Sequence, residues 1–136
     1  METVALSAVW GAAGVLVGFQ VTGLTLRINR EISVGASGDL TWLPIADCIN
    51  LLSLSITLIG VFVLPALDAI GRQTVEKLFG LAVILLVGYA FALAGHYEMF
   101  NPRTGRSMKY FPYQERVVVA LIGAAAAVYV VVAILD

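Results

Sequence analysis

Four uncharged stretches, each about as long as one bilayer crossing, restrict the fold of this chain more than any other feature. They cover residues 4–26, 48–67, 78–95 and 117–135. A helix rises about 1.5 Å per residue, so about 20 apolar residues cross a hydrocarbon layer roughly 30 Å thick. Lipid offers no hydrogen-bond partner, so every backbone N–H and C=O must be satisfied within the segment. Helices of this length meet that demand and short strands do not. The expected fold is an all-α integral membrane protein, a four-transmembrane-helix bundle making a single transmembrane domain over residues 1–136. Composition agrees, because 60% of the residues are hydrophobic and only 12% charged, too few charges to cover a water-soluble surface. No basic segment precedes the first stretch, which also outruns the apolar part of a signal peptide, so it reads as a retained anchor.

The same residues exclude several kinds of chemistry. A net charge of −1 without clustered Lys and Arg argues against nucleic acid as a partner. Cys48 is the one cysteine and His96 the one histidine, so neither an internal disulfide nor a familiar metal or haem ligand set is expected, and no cofactor is implied. The expected partners are membrane lipids and either further copies of the chain or a larger membrane complex.

The connections carry the next layer of information. Residues 68–77 form a short link with Gly71 available for a tight turn, which predicts an antiparallel hairpin of the second and third helices. The longer first connection, residues 27–47, alternates in Glu31-Ile32-Ser33-Val34 and in Leu40-Thr41-Trp42-Leu43 around a Gly-Ala-Ser-Gly-Asp turn, a pattern that fits a short β-hairpin. The third, residues 96–116, holds the turn signal Asn101-Pro102-Arg103-Thr104-Gly105 between two aromatic-bearing arms and fits a second hairpin. Arg27, Arg30, Arg103, Arg106, Lys109 and Arg116 lie in the two long loops, against Arg72 and Lys77 in the short one, so both termini are expected outside and both long loops cytoplasmic. An even number of crossings separates the two long loops. They therefore share one end of the molecule and gather Asp47, His96, Glu98 and Glu115 there, where any chemistry is expected.

Two helical faces stand out. Ser7, Gly11, Gly14, Gly18, Thr22 and Thr25 recur every three or four residues on the first helix and include a GxxxG, the spacing that lets helix backbones approach closely. Packing against a helix of the same chain is the simplest reading, with an oligomer interface or pore lining as the sharper ones. Gln20 sits roughly opposite that stripe, and an amide facing lipid is costly, so the first helix should have protein on that side too. On the second helix Asp47, Asn50, Ser53, Thr57 and Gly60 share one face, the most polar wall in the chain. Ser and Thr can bond back to their own helix, whereas Asn50 needs an outside partner, and Asp47 is placed to cap the helix start. Interhelical hydrogen bonding is the plain reading and a polar path the functional one. On the fourth helix, Ala120, Gly123, Ala124 and Ala127 line a face suited to close packing.

His96 is read first as an interfacial residue beside Tyr97, because Glu98 is its one acidic neighbour in sequence and no dense arginine–carboxylate cluster is evident. The aromatics Tyr97, Phe100, Tyr110, Phe111 and Tyr113 fit a headgroup-level belt, and His96, Arg103, Arg106 and Lys109 could meet anionic lipid headgroups. Three functional classes follow. A homo-oligomeric channel, permeation or transport component would use the second-helix polar face, placed between subunits because four packed helices fill their own centre. An accessory subunit would use the small-residue faces alone. An interfacial enzyme acting on a lipid or small amphiphile would need Asp47, His96 and Glu98 to converge, and comes last.

Overall fold

The computed structural model describes residues 5–38, 42–101, 103 and 110–135. Among these residues every regular element is a helix, arranged as four long rods: α1 (Leu6–Ala36), α2 (Ile45–Ala66), α3 (Arg72–His96) and α4 (Tyr113–Leu135). Each is long and apolar enough to cross a membrane, so the chain is a multi-pass membrane protein. Its exterior is apolar, with Phe19, Leu26, Leu121, Val128 and Ile134 turned outward, as lipid rather than water requires.

All four helices run beyond the predicted stretches, and α1 does so most. Its 31 residues continue ten past Leu26, through Arg27 and Glu31. Glu31-Ile32-Ser33-Val34 is therefore helical and not the first arm of a β-hairpin. Four alternating residues are a weak strand signal, and here they compete with an i,i+4 ion pair between Arg27 and Glu31 at 3.3 Å, which favours helix. Of the second arm, Leu40 and Thr41 lie outside the described residues, and Trp42 and Leu43 have no regular structure. Gly38, with φ of 85°, takes the left-handed conformation just past the helix end, where glycine stops a helix without strain. The hairpin predicted at residues 101–105 lies largely outside the described residues.

Helices α2 and α3 form the predicted antiparallel hairpin. The left-handed residue in its turn is Asp68, with φ of 53°, rather than Gly71, which is extended and precedes α3. Within α2, Ile56–Val63 is wound as a π-helix. Pro65 lacks the N–H that would bond the Val61 carbonyl in an α-helical register. That carbonyl instead accepts a 2.8 Å hydrogen bond from the Trp10 indole of α1.

The tightest approach joins α3 to α4 and runs through glycines of α3. A Cβ built on Gly88 would meet Ile122 side-chain atoms at 2.7–2.9 Å, and one on Gly95 would meet the Glu115 backbone at 3.0 Å. The face of α4 predicted to pack, Ala120, Gly123, Ala124 and Ala127, is exposed instead. Ile122 and the partly buried Val118, Val119 and Ala126 make the contact. Two apolar clusters result. Ala46, Leu85, Ala92 and Ile122 fill the space between α2, α3 and α4, and Val9, Ala13, Val61 and Val75 close the opposite end between α1, α2 and α3.

Candidate functional site

At the end of the bundle that carries the long connections, charged side chains from all four helices meet. Arg27 of α1, 7% exposed, directs Nε to Asp47 Oδ2 of α2 at 3.2 Å, Nη2 to Glu31 Oε1, and Nη1 to the Tyr97 hydroxyl just past α3. The Tyr97 ring also lies beneath Arg30, whose guanidinium carbon is 4.8 Å from its centroid. Beside this group, Glu115 in the first turn of α4 is fully buried. Its Oε2 bonds His96 Nδ1 at 2.8 Å and its Oε1 accepts the Ala46 N–H of α2 at 3.0 Å. Glu115 thus caps α2 from another helix, accepting one of the N–H groups that the first turn leaves free. Asp47 makes no cap hydrogen bond. The predicted capping role falls to Glu115, while Asp47 turns its Oδ2 to Arg27.

From this mouth a polar seam runs inward between α1, α2 and α3. Asn50 donates to the Gln20 backbone carbonyl at 3.3 Å, Gln20 Nε2 donates to Ser53 Oγ at 2.7 Å, and Ser53 donates to the Ala82 carbonyl at 2.7 Å. Thr57 bonds back to the Ser53 carbonyl, as its residue type suggests. Asp47, Asn50, Ser53 and Thr57 are at most 1% exposed and Gln20 is 2% exposed. Ten residues of helix place Thr57 about 15 Å below Asp47, roughly half the hydrocarbon thickness. There the seam meets the π-wound segment and the cluster of Val9, Ala13, Val61 and Val75.

The hydrogen bonding of the seam is one-sided. Gln20 Oε1, Asp47 Oδ1 and Asn50 Oδ1 are buried without a hydrogen-bond partner among the described residues. Each is an acceptor. The amide orientations follow from the network: Ser53 has a single proton and gives it to Ala82, so it must receive one from Gln20, and a carbonyl can accept from Asn50 only through its NH2. Tyr89 of α3 also faces Asp47, its hydroxyl close enough to interact with the carboxylate although no hydrogen bond of good geometry reaches Oδ1. A buried polar group left unpaired costs about 1–3 kcal/mol. The seam therefore suits a species that donates hydrogen bonds or carries positive charge. Among the described residues no three His, Cys, Asp or Glu side chains converge as a metal-binding group.

The second-helix polar face is thus one buried set, inside the protomer rather than on a surface between copies. The first-helix stripe has the opposite placement. Ser7, Gly11, Gly14, Gly18 and Thr22 are exposed, and among the described residues no atom lies within 4 Å of a Cβ added at any of the three glycines. The buried face of α1 is Val9, Ala13, Gln20 and Arg27, so Gln20 does have the protein neighbours its amide demands. His96 is buried and paired, not idle at the interface. Arg103 is exposed, its N–H bonded to the Asn101 side chain, and Arg106 and Lys109 lie outside the described residues. The arginine–carboxylate cluster that was not evident in the chain is assembled by Arg27, Glu31, Asp47, His96 and Glu115. Glu115 is expected at this end from the crossings, but its pairing with His96 is not, because a fourth helix starting at residue 117 leaves it in the loop. In an antiparallel hairpin a residue at the end of α3 stands level with one at the start of α4, which was the available signal. In comparisons with known proteins, no family model, no curated protein and no solved structure matches this chain.

Proposed function

We propose that this protein is a transport or permeation component whose route for a hydrogen-bond-donating or cationic solute begins at the Arg27–Asp47 mouth and enters the seam of each protomer. The observation that carries the reading is the set of three unpartnered oxygen acceptors along a buried seam in membrane-spanning helices. Buried charge pairs contribute little net stability, and ionisable side chains within membrane-spanning helices commonly mark solute or proton pathways. An anion is disfavoured by the same lining. The positive-loop count supports an orientation with the mouth toward the cytoplasm and both termini outside.

Vesicles holding the purified protein, a pH gradient and an internal pH dye provide the test. The wild-type chain should dissipate the gradient faster than protein-free vesicles, and Gln20→Leu and Asn50→Leu should slow it while leaving particle size unchanged. Rates equal to empty vesicles, or variants as fast as wild type, would remove the proposal. A second reading, as a self-associating or accessory subunit, is supported by the open Gly11–Gly14–Gly18 face, since close-packing spacing left uncovered in one protomer suits another helix. Native mass in detergent separates a uniform homo-oligomer from a monomer that travels with a different subunit.

A further inference from the structure

Beside the mouth lies a cavity of about 330 Å³, lined by Arg27, Glu31 and Asp47 at one end and by Ile28, Ile32, Trp42 and Leu43 along its walls. That volume falls at the lower end of small-molecule sites, roughly 300–1,000 Å³. Its charged end is asymmetric. Two carboxylates share a single guanidinium, and the guanidinium is already committed through Nε to Asp47, through Nη1 to Tyr97 and through Nη2 to Glu31. An anionic group arriving there finds the positive charge taken. A cationic group finds Asp47, a side chain 1% exposed whose Oδ1 has no hydrogen-bond partner among the described residues, and Glu31, which is partly open. The walls favour hydrocarbon, with Ile28, Ile32 and Leu43 each more than 40% exposed along the groove. Trp42 adds an indole ring, whose face attracts cations as well as apolar chains.

We propose that this groove binds a protonated primary amine with an apolar tail, the ammonium donating to Asp47 Oδ1 and Glu31 and the tail lying on Ile28, Ile32 and Leu43. The functional meaning of the site, as the place where solute is loaded, rests on the transport reading above, whereas binding itself does not. A soluble amphiphilic amine and an ethanolamine lipid headgroup present the same ammonium, and the two sources can be told apart.

The full chain in phosphatidylcholine nanodiscs is titrated with octylamine, octanol and octanoate at neutral pH while tryptophan fluorescence is followed. Octylamine should give a saturable change that disappears in Trp42→Phe, which identifies the reporting ring. Losing a charge-assisted hydrogen bond should make octanol at least about tenfold weaker, and octanoate should give no saturable response. Glu31→Gln, at a partly exposed position, should weaken octylamine by about threefold to tenfold. Ile32→Lys, at an exposed wall position, should abolish the response by like-charge repulsion. Octanol or octanoate binding as tightly as octylamine, or both variants binding as wild type, would overturn the assignment. Replacing part of the phosphatidylcholine with phosphatidylethanolamine distinguishes the sources: a weakened apparent octylamine affinity assigns the groove to the lipid headgroup, and an unchanged one to a soluble amine. Either result upholds the ammonium chemistry. Saturable octylamine binding without gradient dissipation would retain the groove and remove the transport reading, and dissipation without binding would do the reverse.

Discussion

Replacing Arg27 with Met keeps a long, flexible side chain and removes only the charge and the donors, so it isolates what the guanidinium contributes at the mouth. Three hydrogen bonds disappear together, to Asp47, Glu31 and Tyr97. The Asp47 term dominates. At 3.2 Å and an effective dielectric of 20, the lost attraction is about 5 kcal/mol. Glu31, with its side chain 28% exposed, is screened and adds at most about 0.5 kcal/mol. Breaking one side of a buried pair generally costs about 3–5 kcal/mol, because the remaining charge keeps its desolvation penalty, and that range is expected for Arg27→Met. The double variant Arg27→Met/Asp47→Leu removes the stranded charge as well and should recover most of the loss. Reversible unfolding in mixed micelles, measured for wild type, both single variants and the double variant, gives the coupling energy directly. A single variant within about 0.5 kcal/mol of wild type, or a coupling near zero, would show that the pair is not desolvated as described.

Two further outcomes follow from the packing. Gly95→Ala places a methyl 3.0 Å from backbone atoms of Glu115 that cannot swing aside, so it should destabilise the fold by about 1–3 kcal/mol, whereas Gly14→Ala on the open face of α1 should be neutral or slightly stabilising in the same unfolding assay. Equal effects at the two positions would contradict the placement of the glycine faces. Trp10→Phe strands the Val61 carbonyl beside Pro65 and should cost about 1–2 kcal/mol, with faster amide hydrogen exchange confined to residues 56–63. Exchange unchanged there would mean that the indole does not hold the π-wound segment.

Much of the interior was legible because lipid simplifies the reading of polar residues. Asn50 and Gln20 had to find protein partners at membrane depth, and each did, in the other's helix. The gathering of Asp47, His96 and Glu115 at one end followed from counting crossings alone. What the chain did not disclose is relative register. Nothing local distinguishes the Gly11–Gly14–Gly18 face, which is open, from Gly88 and Gly95, which are packed, because both recur at helical spacing and the choice depends on which neighbour arrives. Glu115 could be matched to His96 only by fixing where the fourth helix starts, and helix ends are set by tertiary contacts as much as by sequence. The π-wound stretch left one readable trace, Pro65, whose missing donor frees a carbonyl upstream.

The length of α1 has a mechanical corollary. Thirty-one residues extend about 46 Å, and a hydrocarbon layer of roughly 30 Å could contain such a rod only by leaning it about 50° from the normal, beyond the usual 0–40°. Leaning alone cannot hide it, so its final turns must stand among the headgroups as a stalk. Arg27 sits where that stalk leaves the apolar zone, gripped by Asp47 on the next rod. A change in the tilt of α1 would load this ion pair together with the Trp10–Val61 and Gln20–Ser53 bonds that tie the same two rods.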